Sequence, residues 1–202
     1  MLVRTLRACA IAFALGLFTA DSWAADDQKA EKIDLKVGDA APAFEARDDQ
    51  DRSWKSDDHL GKKWVVVYFY PGDFTPGCTA QANAFKAGMN KLIDLGVEVV
   101  GVSGDSVKSH ELFKAVQKLN FTLLAGEDGG VARKFGVPVG KGGKVKAKDA
   151  DGNPIEITRT GTAARWTFVV GKDGKIAYKN KNVLPADDAK KITEFITKAE
   201  EK

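Results

Sequence analysis

Residues 64–70 of this 202-residue chain form one continuous apolar segment. Both alternating sets of its side chains are apolar, which is typical of a strand that helices cover on each face. The segment runs directly into residues 71–79, and apolar residues at helical spacing then continue to Asp94. The sequence therefore predicts a central buried strand that turns into a helix close to Cys78.

Strand and helix patterns alternate along most of the chain. We predict strands at 43–47, 52–55, 64–70, 97–102, 121–124, 166–170 and 175–178, and helices at 78–94, 106–119, 131–135 and from about 187. This order predicts an α/β protein, a three-layer sandwich of the thioredoxin-like type with a mixed central sheet and helices on both faces. Periodicity alone leaves other three-layer folds open.

Two segments carry more specific expectations. The helix at 78–94 places Phe85, Met89, Leu92 and Ile93 at three- and four-residue spacings, which predicts that they face the core. Residues 138–162 are rich in Gly, Lys and Asp and predict a long surface excursion with a small hairpin around 155–157. That excursion either contacts a partner or is simply solvated.

The N-terminus has the pattern of an export signal. In residues 1–24, two arginines precede a 13-residue apolar run that ends in small residues at a cleavage-like site. The run is shorter than the roughly 18–20 residues of a spanning helix, although an uncleaved anchor is the alternative. We predict a signal peptide at 1–24, a flexible leader at 25–36, one domain at 37–202, and an exported, periplasmic protein without stable membrane insertion.

Charge and histidine content exclude several functions. The formal net charge of +3 gives no reason to expect a nucleic-acid partner. His59 and His110 stand alone without metal-ligand spacing, and no glycine-rich phosphate loop precedes a helix. We therefore expect no metal and no other cofactor.

Cys78 is the residue that the sequence most clearly marks as reactive. The other cysteine, Cys9, lies in the predicted signal, and a leftover thiol in an exported protein indicates a reactive group or an intermolecular partner. Thr75 suits a helix cap and Pro76 the first helical position, which puts Cys78 third, where free amides and the helix dipole stabilise a thiolate. Gly77 leaves the sulfur approachable. The alternative is that Cys78 is an unreactive small apolar side chain packed in the core.

The segment Pro71-x3-Thr75-x2-Cys78, preceded by Tyr-Phe-Tyr, resembles the active-site signature of the peroxiredoxins. The nearest subgroup is the bacterioferritin-comigratory, or Q-type, branch of the alkyl hydroperoxide reductase and thiol-specific antioxidant family. Blocks at 99–106, 123–137 and 165–174 extend the resemblance over residues 36–198.

The resemblance implies named roles. Cys78 would attack a peroxide oxygen and become a sulfenic acid. Thr75 would hold thiolate and peroxide through its hydroxyl, and Arg165 would polarise the peroxide and keep the sulfur ionised. Pro71 would shield the sulfur from water, and backbone amides around Gly77 and Cys78 would stabilise the leaving oxygen. The implied substrates are hydrogen peroxide and organic hydroperoxides.

The chain departs from the family pattern at two positions. Glutamate is common in the family where this chain has Gln81, and the second departure changes the expected cycle. Many Q-type members carry a resolving cysteine where this chain has Asn83, so an external thiol, from a thioredoxin-like protein or a small molecule, is expected to reduce Cys78. A redox sensor that forms a mixed disulfide through Cys78 remains open. A disulfide oxidoreductase is disfavoured because Thr75 stands where the first cysteine of Cys-x-x-Cys would be. We expect a monomer or a homodimer.

Overall fold

The computed structural model describes residues 33–201, and these form a mixed α/β fold. The predicted signal peptide at 1–24 and most of the predicted leader lie outside the described residues. The strands are β1 (Glu45–Asp48), β2 (Ser53–Lys55), β3 (Trp64–Phe69), β4 (Val97–Ser103), β5 (Thr122–Ala125), β6 (Val139–Lys148), β7 (Pro154–Ala163), β8 (Trp166–Val170) and β9 (Ile176–Asn180). The helices are α1 (Pro76–Asp94), α2 (Val107–Gln117), α3 (Gly130–Lys134) and α4 (Asp188–Glu200), with a 3-10 turn at Ser56–Asp58.

Seven strands form one mixed sheet in the order β2-β1-β5-β4-β3-β8-β9. β3 pairs parallel with β4, and β4 pairs parallel with β5, as the intervening helices require. β8 runs antiparallel to β3 and continues through a tight turn into β9. The predicted mixed sheet is confirmed, and β3 lies inside it with all six of its residues buried.

The two faces of the sheet carry separate apolar clusters. Val66 and Tyr68 of β3 face a cluster that includes residues of α1, α2 and α4. Val65, Val67 and Phe69 point to the opposite face, where α3 packs. This alternation explains why β3 must be apolar throughout, and it confirms the three-layer arrangement.

The predicted core face of α1 needs one correction. Phe85, Met89 and Leu92 are buried, whereas Ile93 is 60% exposed. Ile93 follows directly on Leu92, and one residue of a helix turns the side chain through about 100°. The apolar stripe of α1 therefore ends at Leu92.

The excursion at 138–162 is more ordered than the sequence predicts. β6 and β7 form a two-stranded antiparallel sheet with ten residues in each strand, joined by a turn at 149–153. The prediction of a short hairpin around 155–157 is too small. The alternative of a merely solvated excursion is wrong, because Ile157, Arg159 and Ala163 of β7 are buried against the main domain.

Candidate functional site

Cys78 lies in the first turn of α1, directly after the loop that leaves β3. Thr75 has the extended backbone of a cap residue, Pro76 is the first helical residue, and Cys78 is the third. The predicted helix start is confirmed. The residue is 1% exposed, and it packs in the same apolar cluster as Tyr68 and Tyr70.

Thr75 occupies the cap position, but its hydroxyl does not cap the helix. Thr75 Oγ1 instead donates to the carbonyl oxygen of Gly72 at 3.1 Å, and no described side chain caps α1. The expected capping hydrogen bond is therefore wrong, because the loop carbonyl lies within reach of the hydroxyl. The first amides of α1 stay open, as an anion-binding helix start requires, and the hydroxyl keeps its acceptor lone pairs.

Arg165 reaches Cys78 from the turn between β7 and β8. Its Nη2 donates to Cys78 Sγ at 3.2 Å, and its Nη1 donates to Gln81 Oε1 at 2.5 Å. A guanidinium has a planar fork of donors, so one side chain can hold both acceptors at once. The structure therefore brings together the arginine and the cysteine that the sequence predicts for one site.

Gly77 and Pro71 complete the set of predicted residues. A side chain at position 77 would place its Cβ 3.3 Å from Arg165 Nη2 and 3.8 Å from Pro185 Cγ, so glycine leaves room for the guanidinium. Pro71 is half-buried just beyond the end of β3. Its proposed shielding of the sulfur stays a prediction.

Gln81 links Arg165 to a second buried side chain that sequence reasoning missed. Gln81 is fully buried one turn after Cys78, and its Nε2 donates to Asp188 Oδ2 at 2.7 Å. The same carboxylate oxygen accepts from Thr167 Oγ1 at 2.7 Å. Burial raises the pKa of Asp188, and the hydrogen bonds from Thr167 and Gln81 offset only part of that effect. Cys78, Arg165, Gln81 and Asp188 thus form one connected chain.

A cluster of buried polar groups, which we call the loop anchor, holds the loop before α1. It consists of Asp73, Asp105, Ser109, His110 and Arg159. Asp73 N donates to Asp105 Oδ2 at 2.8 Å, and Ser109 Oγ donates to Asp73 Oδ2 at 2.9 Å. His110 Nδ1 lies 2.8 Å from Asp73 Oδ2. Burial lowers the pKa of His110, but the charge and hydrogen bond of Asp73 outweigh it, so the net shift is upward.

Arg159 of β7 ties the hairpin to this loop. Its Nε donates to Asp105 Oδ1 at 3.1 Å, and its Nη2 donates to the carbonyl oxygen of Asp73 at 2.9 Å. The guanidinium also lies against Gly72, where an added Cβ would clash with Arg159 Cζ. A side chain at position 72 would therefore displace Arg159.

Sequence signals for the missed residues differ in strength. Gln81 lies three residues after Cys78, so helical geometry could have placed both on one face. Asp188 and Arg159 carry no local signal, because each acts across a long sequence separation. His110 belongs to the loop anchor, where it contacts Asp73. A structural role is what its isolated position in the sequence indicates.

Two further properties concern only residues 33–201. No group of three or more His, Cys, Asp or Glu side chains there is arranged to hold a metal ion. No helix in this part of the chain is long and apolar enough to cross a membrane.

Comparisons with known proteins point to one family. A sequence model of the AhpC/TSA family matches residues 37–179. A Coxiella burnetii relative described as a peroxiredoxin bcp is 40% identical over 147 residues, which are 72% of this chain and 96% of that protein. The chloroplastic peroxiredoxin Q of Oryza sativa subsp. japonica is 39% identical over 148 residues, covering 73% of this chain. The chain matches only 60% of the length of that rice protein.

Solved structures give the same result. Peroxidoxin BcpB from Mycobacterium tuberculosis superposes with a TM-score of 0.66 at 27% identity, covering 81% of this chain and 97% of that one. The bacterioferritin comigratory protein of Xanthomonas campestris, studied for alkyl peroxide reduction, gives 0.64 at 28% identity, covering 83% and 98%. The predicted thioredoxin-like peroxiredoxin fold is confirmed.

Proposed function

The chain belongs to the AhpC/TSA family, with relatives named peroxiredoxin Q and bcp, and we propose on that premise that it is a thiol peroxidase. The Cys78 thiolate attacks one oxygen of hydrogen peroxide or an organic hydroperoxide. The S–O bond forms as the O–O bond breaks, and the leaving oxygen takes a proton as water or alcohol. Cys78 is then a sulfenic acid.

The contact between Arg165 Nη2 and Cys78 Sγ carries this proposal. A guanidinium keeps its positive charge at every physiological pH, so it stabilises the thiolate and the negative charge that develops on the peroxide. The sulfur is almost completely buried, which strengthens that electrostatic interaction. A small peroxide fits the chemistry of such a site better than a bulky electrophile.

Three further groups around Cys78 take part in the proposed reaction. The open amides at Gly77 and Cys78 stabilise the leaving oxygen, and the Thr75 hydroxyl hydrogen-bonds the peroxide. Its donation to Gly72 leaves the oxygen lone pairs of Thr75 free to accept a peroxide O–H. Pro71 limits the access of water to the sulfur.

We propose a one-cysteine cycle. Cys78 is the free cysteine of the described residues, and Asn83 binds Gln117 Oε1 through its side-chain amide at 3.0 Å. One external thiol condenses with the sulfenic acid to give a mixed disulfide and water. A second thiol displaces Cys78 and leaves as the external disulfide, which returns the enzyme to its reduced state.

The burial of Cys78 also favours a second candidate, a redox sensor. An external thiol must reach a sulfur that is 1% exposed, so the oxidised form would persist if that step were slow. A persistent sulfenic acid or mixed disulfide at Cys78 would then be the signal. Turnover with added thiols separates the two candidates.

We also propose that the protein is exported. The two arginines, the apolar run and the small residues of the first 24 positions support export to a periplasm-like space, with cleavage near residue 24. Cell fractionation, with N-terminal mass analysis of the exported protein, tests this assignment. An intact N-terminus in the membrane fraction would indicate an anchor instead.

The test of function uses one equivalent of hydrogen peroxide and intact-mass analysis. We expect rapid addition of one oxygen at Cys78, and its removal with repeated turnover when a thioredoxin-like protein or a small thiol is supplied. Cys78→Ser should abolish both. Reaction no faster than that of free cysteine would reject the peroxidase, and fast oxidation without turnover under any thiol would favour the sensor.

A further inference from the structure

Gln81 can serve Arg165 only if its side-chain amide points the right way. Arg165 is a donor and therefore needs the carbonyl oxygen of Gln81, which it contacts at 2.5 Å. The amide NH2 of Gln81 must then face the other way, and there it donates to Asp188 at 2.7 Å. If the amide were reversed, two donors would face each other in a buried site.

We propose that Asp188 is a positioning residue for the peroxide reaction, because its carboxylate fixes the orientation of Gln81 and thereby holds Arg165 against Cys78. This inference rests on the proposed function. A carboxylate can only accept hydrogen bonds, so it selects the NH2 end of the amide and leaves the oxygen for the guanidinium. Asp188 thus controls the sulfur through two intermediate side chains, without contacting Cys78.

The surroundings of Asp188 match this role. Oδ2 accepts from Gln81 and from Thr167 of β8, so the carboxylate is fixed from two elements. Asp188 is also the first residue of α4, where the helix dipole favours a negative charge. Its other oxygen, Oδ1, is buried and has no hydrogen-bond partner among the described residues. A buried carboxylate with an unpartnered oxygen is costly, which a residue retained for packing alone would not explain.

The role of Asp188 can be separated from its charge. In Asp188→Asn, the amide oxygen can replace Oδ2 and accept from Gln81 and Thr167, while the amide nitrogen takes the place of Oδ1. That variant keeps the orientation of Gln81 but removes a negative charge. Asp188→Leu is similar in size and removes both acceptors, which frees the Gln81 amide to turn.

The experiment measures the rate of Cys78 oxidation by hydrogen peroxide under single-turnover conditions, together with the thiolate fraction at neutral pH. We expect Asp188→Asn to oxidise at least as fast as the unmodified protein. Asp188→Leu should lose about tenfold or more in rate, with a smaller thiolate fraction, because a charge-assisted hydrogen bond to Arg165 is lost. Equal rates in Asp188→Leu and the unmodified protein would overturn the proposal.

A second pair of variants keeps the test decisive if Asp188→Leu does not fold. Gln81→Glu places two carboxylates in contact and should slow oxidation, whereas Gln81→Glu with Asp188→Asn restores a donor opposite position 81 and should recover most of the rate. Failure of the second change to rescue the first would contradict the proposal. If the unmodified protein itself oxidises no faster than free cysteine, the peroxidase assignment fails instead.

Discussion

Nη2 of Arg165 lies 3.2 Å from Sγ of Cys78, although the two residues are 87 positions apart in the chain. The contact joins the turn before β8 to the first turn of α1. The fold brings these segments together because β3, which leads to Cys78, pairs directly with β8, which follows Arg165. The reactivity of Cys78 therefore depends on this contact and on the loop that precedes Cys78.

Replacement of Arg165 by lysine should slow the oxidation of Cys78 even though the charge is kept. A single ammonium cannot hold Sγ and Gln81 Oε1 in the geometry of the guanidinium fork. We expect a loss of about 10- to 100-fold in the rate constant, the equivalent of about 1.5–3 kcal/mol for one charge-assisted hydrogen bond. Stopped-flow tryptophan fluorescence measures it. Arg52→Lys is the matched control and should leave the rate unchanged. Arg52 is exposed and directly precedes β2, an edge strand of the sheet.

Thr75→Val and Thr75→Ser separate the hydroxyl of Thr75 from its shape. Valine has almost the same volume but cannot donate to Gly72 or accept from a peroxide, so Cys78 oxidation should slow sharply. Serine keeps the hydroxyl and should retain most of the rate. Peroxide titration followed by intact mass distinguishes the two variants. A fast valine variant would show that the hydroxyl takes no part in the reaction.

Arg159→Met should destabilise the protein strongly because it leaves Asp105 as a buried charge without its partner. We expect a loss of about 3–5 kcal/mol in the free energy of unfolding, measured with urea. Lys144→Met on β6 removes an exposed ion pair of the same hairpin, which water screens, and should change the stability far less. Equal effects of the two changes would mean that Arg159 does not anchor the loop before Cys78.

His110 should make the stability pH-dependent. Its pKa is raised above the ordinary 6.5, so its contribution is fully present below 6.5 and is lost as the pH rises through the folded-state value. The difference in unfolding free energy between the unmodified protein and His110→Gln should therefore shrink as the pH increases. Asp73→Asn should remove most of this dependence, because Asp73 supplies the charge next to the imidazole. A pH-independent difference would contradict the assignment.

The sequence is sufficient for those parts of the structure that depend on neighbouring residues. The apolar run of β3, the proline after Thr75 and the helical spacing after Cys78 are local signals, and the sheet, the helix start and the position of the cysteine follow from them. Arg165 could be assigned to the site only through the family resemblance, because nothing near it in the chain marks it as a partner of Cys78.

The remaining site residues depend on contacts between distant segments. Gln81 and Asp188 are 107 positions apart, and Arg159 and Asp105 are 54 apart. Hydrophobic periodicity does not predict such polar pairs. It indicates which face of an element is buried, but not which partner a buried polar group binds. The length of the β6–β7 hairpin is also not evident from the sequence. The hairpin is held by long-range contacts that bury Ile157 and Arg159 against the main domain.

The activation of Cys78 by Arg165 is measured by the rate constant for oxidation of this thiol by hydrogen peroxide, compared with that of free cysteine. Cys9→Ser removes the only other thiol, and Cys9→Ser with Cys78→Ser supplies the baseline. We predict that Cys78 is oxidised much faster than free cysteine and that Arg165→Met removes most of this difference, because the guanidinium contacts Sγ. Oxidation no faster than that of free cysteine, or equally fast without Arg165, would show that Arg165 does not activate Cys78.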